Sequence, residues 1–192
     1  MATETTKQPT ILNGINVDQV VQTMNDIKEK PMLAKFTFRS KNQWLDGGHN
    51  RSTIKDFYGY CREDDSRKTA FVFDNDEPPV LFGANRGPNP VEFIFHALAG
   101  CMTTTMTCYA AAMGIEIDEI TSTFEGDIDV RGLLGLSDDV RNGYDHIRVT
   151  FDVKSSAPRE KVEELIELAK NHSPVFDVVT HGTPVSVRLK DR

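Results

Sequence analysis

Apolar positions along this chain recur with a helical period in some stretches and alternate with polar ones in others. Val17, Val20, Val21, Met24 and Ile27 share one helical face, predicting an amphipathic helix over 17–29 that ends before Pro31. Residues 1–10 are polar and are expected to be disordered. Phe36 and Phe38 alternate with polar neighbours and predict a strand, with Trp44 at its end or starting its partner. Asp46-Gly47-Gly48 reads as a turn, Ser52–Tyr58 as the returning strand, and Ala70–Phe73 as another. Pro78-Pro79 breaks the chain before a short Val80–Phe82 segment.

The longest apolar run predicts a helix over 90–113. Asn89 is a good N-cap, Pro90 suits the first helical position, and Glu92 complements the dipole in the first turn. Phe93, Ile94, Ala97, Leu98, Cys101, Thr105, Cys108 and Ala112 follow, until Gly114 offers a stop. Ile115, Ile117, Ile120, Phe124, Ile128 and Val130 predict one long strand or two with a kink; Gly132–Gly143 predicts a loop. Ile147, Val149, Phe151 and Val153 alternate cleanly as a strand. Pro158 opens a helix carrying Val162, Leu165, Ile166 and Ala169; Ser173-Pro174 starts a shorter one; Val185–Leu189 closes the chain as a strand. Strands, helix, strands, helix, strand is the order of an α+β fold with helices packed on antiparallel sheet.

Length allows one well-packed domain with a modest extension: 1–30 as an N-terminal extension with a short helix, 31–192 as the domain. A formal charge of −7 argues against a nucleic-acid surface. No apolar run approaches the ~20 residues that span a bilayer, so no membrane association is expected. The first ten residues, MATETTKQPT, carry no basic or apolar leader, and a cytoplasmic protein is expected. Three cysteines fit free thiols in a reducing compartment better than a disulfide scaffold.

Among these, Cys101 lies four residues past Ala97 and three past Leu98, on the same predicted helical face. Such a cysteine is either a small core hydrophobe or, beside a cation or a helix N-terminus, a reactive thiol. The stretch GPNPVEFIFHALAGC and the later HSPVFDVVTHGTPVSVRL resemble the two signatures of the OsmC/Ohr family of thiol-dependent peroxide-reducing proteins and their relatives. NRSTIKDFYGY, DEPPVLFGANRGPNPVE and FEGDIDVRGLLGLSDDVRNGY are similar to its longer OsmC-related branch, and the resemblance covers roughly residues 33 to 190.

That resemblance implies an α+β, OsmC-like fold: antiparallel sheets wrapped around two long central helices in an intertwined homodimer, with sites at the subunit interface. It also implies that Cys101 is the peroxide-attacking thiol. The family's second signature cysteine, which closes a disulfide with the first, corresponds here to Ser173, so a cycle would use one cysteine and an external thiol reductant. Cys108 is a poor substitute, because seven residues of helix separate Cα atoms by ~10 Å, beyond the ~7 Å a disulfide tolerates. Family peroxidases place a glutamate ten residues before the first cysteine, paired with an arginine. Here that position is Val91, and Glu92 is one place later, rotated by about 100°. Glu92 is a candidate acid and Arg86, just upstream of the helix, the nearest candidate cation; Arg39 and Arg51 are others. His96, His172 and His181 lack metal-ligand spacing, and neither a metal nor a cofactor is expected. The implied activity is reduction of organic hydroperoxides in an oxidative stress response, with Cys101 as nucleophile. The alternative is a non-enzymatic dimer of the same fold that binds a small apolar ligand.

Overall fold

The structure is a computed structural model and describes residues 8–190, so the disorder expected for residues 1–7 lies outside the described residues. Thr10 is not loose: its N–H donates to Asp18 (2.8 Å) and its carbonyl accepts from Val17 N–H (2.9 Å). The chain forms two compact units, one of residues up to Ile11 with Asn16–His96, the other of Leu12–Ile15 with residues from Ala97 onward.

A small hairpin comes first, β1 (Ile11–Leu12) and β2 (Ile15–Asn16), followed by α1 (Val17–Glu29), the helix expected there. Asn13 and Gly14 both have positive φ (52° and 74°), as a two-residue turn with this twist demands. Asn16 caps α1, accepting from Gln19 N–H at 3.0 Å.

In the first unit, β3 (Lys41–Asp46), β4 (His49–Ile54) and β7 (Phe71–Asn75) form an antiparallel sheet in the order β3-β4-β7. β5 (Phe57–Gly59) and β6 (Arg62–Asp64) form a second hairpin, with Tyr60 and Cys61 at its tip at φ 53° and 59°. Two expectations shift. The strand expected at Phe36 and Phe38 reduces to a single bridge, Thr37 to Tyr58, and the regular strand begins at Lys41. Phe36 and Phe38 instead stack with Phe57, at centroid distances of 5.4 to 6.3 Å. The returning strand is split in two, β4 ending at Ile54 and β5 starting at Phe57. Tyr60 OH donates to Asp26 at 2.6 Å, fastening α1 to this hairpin and holding the Asp26 carboxyl below its ordinary value.

Helix α2 (Pro90–Ala112) starts in the first unit and ends in the second. There Leu98, Met102, Met106 and Ala110, four residues apart, form its buried strip. They pack with Leu165 and Ala169 of α4 (Arg159–His172), and with apolar side chains of a two-stranded sheet. That sheet pairs β8 (Glu119–Ile128) with β9 (Tyr144–Lys154). Ile120 and Phe124 from β8, with Ile147, Val149, Phe151 and Val153 from β9, face the core, while every second residue faces water. A short helix, α3 (Val130–Leu133), capped by Asp129, takes Val130 from the expected strand, which ends at Ile128, and the first residues of the expected loop. α5 (Pro174–His181) follows α4.

The closing strand expected at Val185–Leu189 does not form. Those residues pair with no described strand, and Val185, Val187 and Leu189 are 82 to 94% exposed. Val185, Val187 and Leu189 alternate as a strand would, but a strand requires a neighbour for its backbone groups.

Candidate functional site

The start of α2 is built from reciprocal hydrogen bonds. Asn89 Oδ1 accepts from Val91 N–H (2.9 Å), and Glu92 Oε2 accepts from Asn89 N–H (2.8 Å), which together form a capping box. Asn89 Nδ2 also donates to the Glu77 carboxylate. The segment before the helix folds around Asp76, only 2% exposed. Its carboxylate accepts from the N–H groups of Glu77 (2.9 Å), Ala84 (3.1 Å) and Arg86 (3.0 Å). Those bonds, that from Arg86 foremost, hold the Asp76 carboxyl below the usual range despite its burial. Glu77 goes the other way: burial, then the neighbouring Asp76 and Glu92 charges, push its carboxyl up. Two glycines make this tight path possible. A Cβ on Gly83 would lie 1.9 Å from the Glu77 carbonyl oxygen, and one on Gly87 2.3 Å from that of Asp74.

Arg86 projects from this clamped segment. Its Nη1 lies 3.3 Å from Asp46 Oδ2 and 3.5 Å from His49 Nδ1. The other two candidate cations are more firmly engaged. Arg39 makes a bidentate pair with Glu63 (2.8 and 2.9 Å), and Arg51 one with Asp74 (2.8 and 3.1 Å). Arg86 therefore has the least committed guanidinium of the three. Glu92 is occupied by the helix cap, the role its first-turn position suggested. Nine residues of helix put Glu92 and Cys101 on roughly opposite sides of α2.

Cys101 is half-buried at the border of the buried strip, next to fully buried Met102 and exposed Gly100. Its carbonyl accepts from Thr105 Oγ1 at 2.8 Å. Cys108, also half-buried, lies on the same side two turns on, while Cys61 is exposed at the β5–β6 tip. All three are free thiols. Ser173 is 2% exposed and joins α4 to α5. Its N–H donates to Ala169 O (3.0 Å), its Oγ accepts from Phe176 N–H (3.1 Å), and its carbonyl accepts from Asp177 N–H (3.0 Å). Of the histidines, His172 packs on Tyr109 (5.1 Å between ring centroids), His96 on Phe93 (6.3 Å), and His181 pairs with Asp177 at 3.1 Å. Cys101 and Ser173 belong to the second unit, Arg86 and Glu92 to the first.

The model of the OsmC-like protein family matches residues 83–188, more than half of the chain, from the loop before α2 to the closing segment. The chain belongs to the OsmC-like family. Solved structures agree on the fold. An OsmC-like protein of Mycoplasma pneumoniae is 16% identical, with TM-score 0.55 over 74% of this chain and 86% of that one. An OsmC-like protein of unknown function from Vibrio cholerae is 12% identical, with TM-score 0.56 over 75% and 94%. An organic hydroperoxide resistance protein, OsmC, of Legionella pneumophila is 15% identical, with TM-score 0.50 over 76% and 90%. No curated protein matches this chain. The α+β class, with small antiparallel sheets and helices, is thus that of OsmC-like folds.

The sequence reading missed Asp76, Glu77 and the His49–Asp74 pair. A carboxylate before a Pro-Pro pair and a Gly-rich loop was a usable signal for Asp76, because such loops need an acceptor for their unpaired N–H groups. His49 carried no local signal: its partner Asp74 is 25 residues away.

Proposed function

We propose that this OsmC-like protein reduces organic hydroperoxides with Cys101 as the sole redox cysteine and an external thiol as reductant. The observation that carries the reading is that Cys101 is a free, partly exposed cysteine beside an apolar strip. The name of the Legionella relative adds hydroperoxide resistance to the family context. In the reaction the Cys101 thiolate attacks the O–O bond; the alcohol leaves with a proton, and Cys101 becomes a sulfenic acid. One reductant thiol condenses with it to a mixed disulfide and water, and a second thiol releases Cys101 and leaves as reductant disulfide. In this reading Arg86 is the candidate cation, and Glu92 sets the start of the helix.

The working form in this reading is a homodimer in the cytoplasm. Among the described residues only seven apolar side chains are buried, while twenty large ones are exposed, including Val80, Phe82, Leu136 and the Val185–Leu189 segment. Apolar surface on that scale calls for a second protein surface. A second reading, a dimer that binds a small apolar ligand without chemistry, is favoured by one observation: Ser173 is 2% exposed with its N–H, carbonyl and Oγ bonded in the α4–α5 junction, and it offers no thiol to resolve an oxidised Cys101.

Peroxide consumption by wild type and Cys101→Ser, with cumene hydroperoxide and a dithiol, separates the two. Turnover in wild type that vanishes in the variant is expected. Inert wild type with an unreactive Cys101 would leave the ligand-binding reading.

A further inference from the structure

A chain of contacts in the first unit runs from Arg51 through Asp74 and His49 to Arg86 and Asp46. Its geometry bears on which ring nitrogen carries the proton. The Asp74 carboxylate is an acceptor only, held ionised chiefly by the Arg51 guanidinium and then by His49. It lies 3.0 Å from His49 Nε2, so that nitrogen must carry the proton. Arg86 Nη1 is a donor only and stands 3.5 Å from the other ring nitrogen, Nδ1. A neutral ring protonated at Nε2 satisfies both neighbours, with the Nδ1 lone pair facing the guanidinium. The opposite tautomer would turn an N–H toward the N–H groups of Arg86 and a lone pair toward the carboxylate.

The ring is also well held. The His49 side chain is 13% exposed, against 46% for Arg86 and 73% for Asp46. The buried partner of Arg86 is therefore the imidazole, and the carboxylate beyond it is mostly in water. A long arginine side chain with one exposed ion pair samples many rotamers. A lone pair on a fixed ring narrows that set, as second partners orient a site residue elsewhere.

We propose that His49, oriented by Asp74, is a positioning residue that aims the Arg86 guanidinium. This rests on the proposed reading in which Arg86 is the candidate cation. The groups facing His49 are Asp74 on β7 and Arg86 in the loop before α2; Arg51, on its own strand, shares Asp74, and Asp46 on β3 shares Arg86.

The test uses the full chain and has two readouts. Long-range 1H–15N correlation at pH 7.5 should show His49 protonated at Nε2 and bare at Nδ1. Kinetically, His49→Ala should lower kcat/KM about tenfold, the scale of one hydrogen bond to a charged group. It should cause little further loss on an Arg86→Ala background. His49→Gln should recover much of the rate, because its amide can donate to Asp74 and accept from Arg86. A proton on Nδ1, or fully additive losses from His49→Ala and Arg86→Ala, would overturn the proposal. If wild type turns over no peroxide, the hydroperoxide reading falls by itself, and the tautomer still decides whether His49 serves Arg86 as a lone-pair acceptor.

Discussion

The two ends of α2 are secured by different physics. Its start is fixed by directional bonds: Asn89 and Glu92 cap each other, Asn89 reaches Glu77, and Asp76 gathers three backbone N–H groups. Its later turns are fixed by burial of Leu98, Met102, Met106 and Ala110 with Leu165 and Ala169. Burial is strong and non-directional; hydrogen bonds are individually modest but set position closely. Cys101 sits where the buried strip begins, and Arg86 projects from the polar clamp.

The contrast predicts a ranking of mutational effects. Leu165→Ala, which removes a side chain with 0% exposure, should cost about 2–5 kcal/mol in denaturant unfolding. A loss under 1 kcal/mol would mean that the apolar end is not what holds α2. Asp76→Ala orphans three N–H groups and should lower Tm by roughly 5–10 °C. Asp76→Asn sharpens this with pH. The folded carboxyl titrates below its unfolded value, so its stabilisation is present above the unfolded pKa and is lost as pH falls through the folded one. Wild type should therefore lose more stability than Asp76→Asn on acidification below about pH 4. Parallel acid profiles would contradict the clamp.

Asn13→Ala should be milder, about 1–2 kcal/mol by thermal unfolding. Its amide donates to Ile115 O (2.9 Å) and accepts from Ile117 N–H (3.0 Å), and its φ of 52° suits Asn better than Ala. Glu92→Ala should be the smallest, about 0.5–1 kcal/mol, as one half of a capping box. A collapse of peroxide turnover in Glu92→Ala without loss of stability would instead give Glu92 a chemical role.

Much of the framework was legible because its signals are local. Asn89-Pro90 with Glu92 announced α2, Ser173-Pro174 announced α5, and alternation from Ile147 to Val153 announced β9. The Asn13-Gly14 hairpin had a strong local signal that went unread. What stayed hidden depends on distant partners: Phe36 and Phe38 fit a strand in sequence, yet their rings gather on Phe57. The candidate residues divide in the same way. Cys101 and Ser173 could be picked out from signature stretches, whereas the least committed of the candidate arginines emerged only once Glu63 and Asp74 were seen to occupy Arg39 and Arg51.

The most direct test of the central claim needs no knowledge of the reductant. Wild type is treated with one equivalent of cumene hydroperoxide, trapped with a sulfenic-acid probe and mapped by mass spectrometry. A probe adduct on Cys101, with Cys61 and Cys108 unmodified, is the predicted result. A Cys101 that stays a free thiol while peroxide persists would contradict the account.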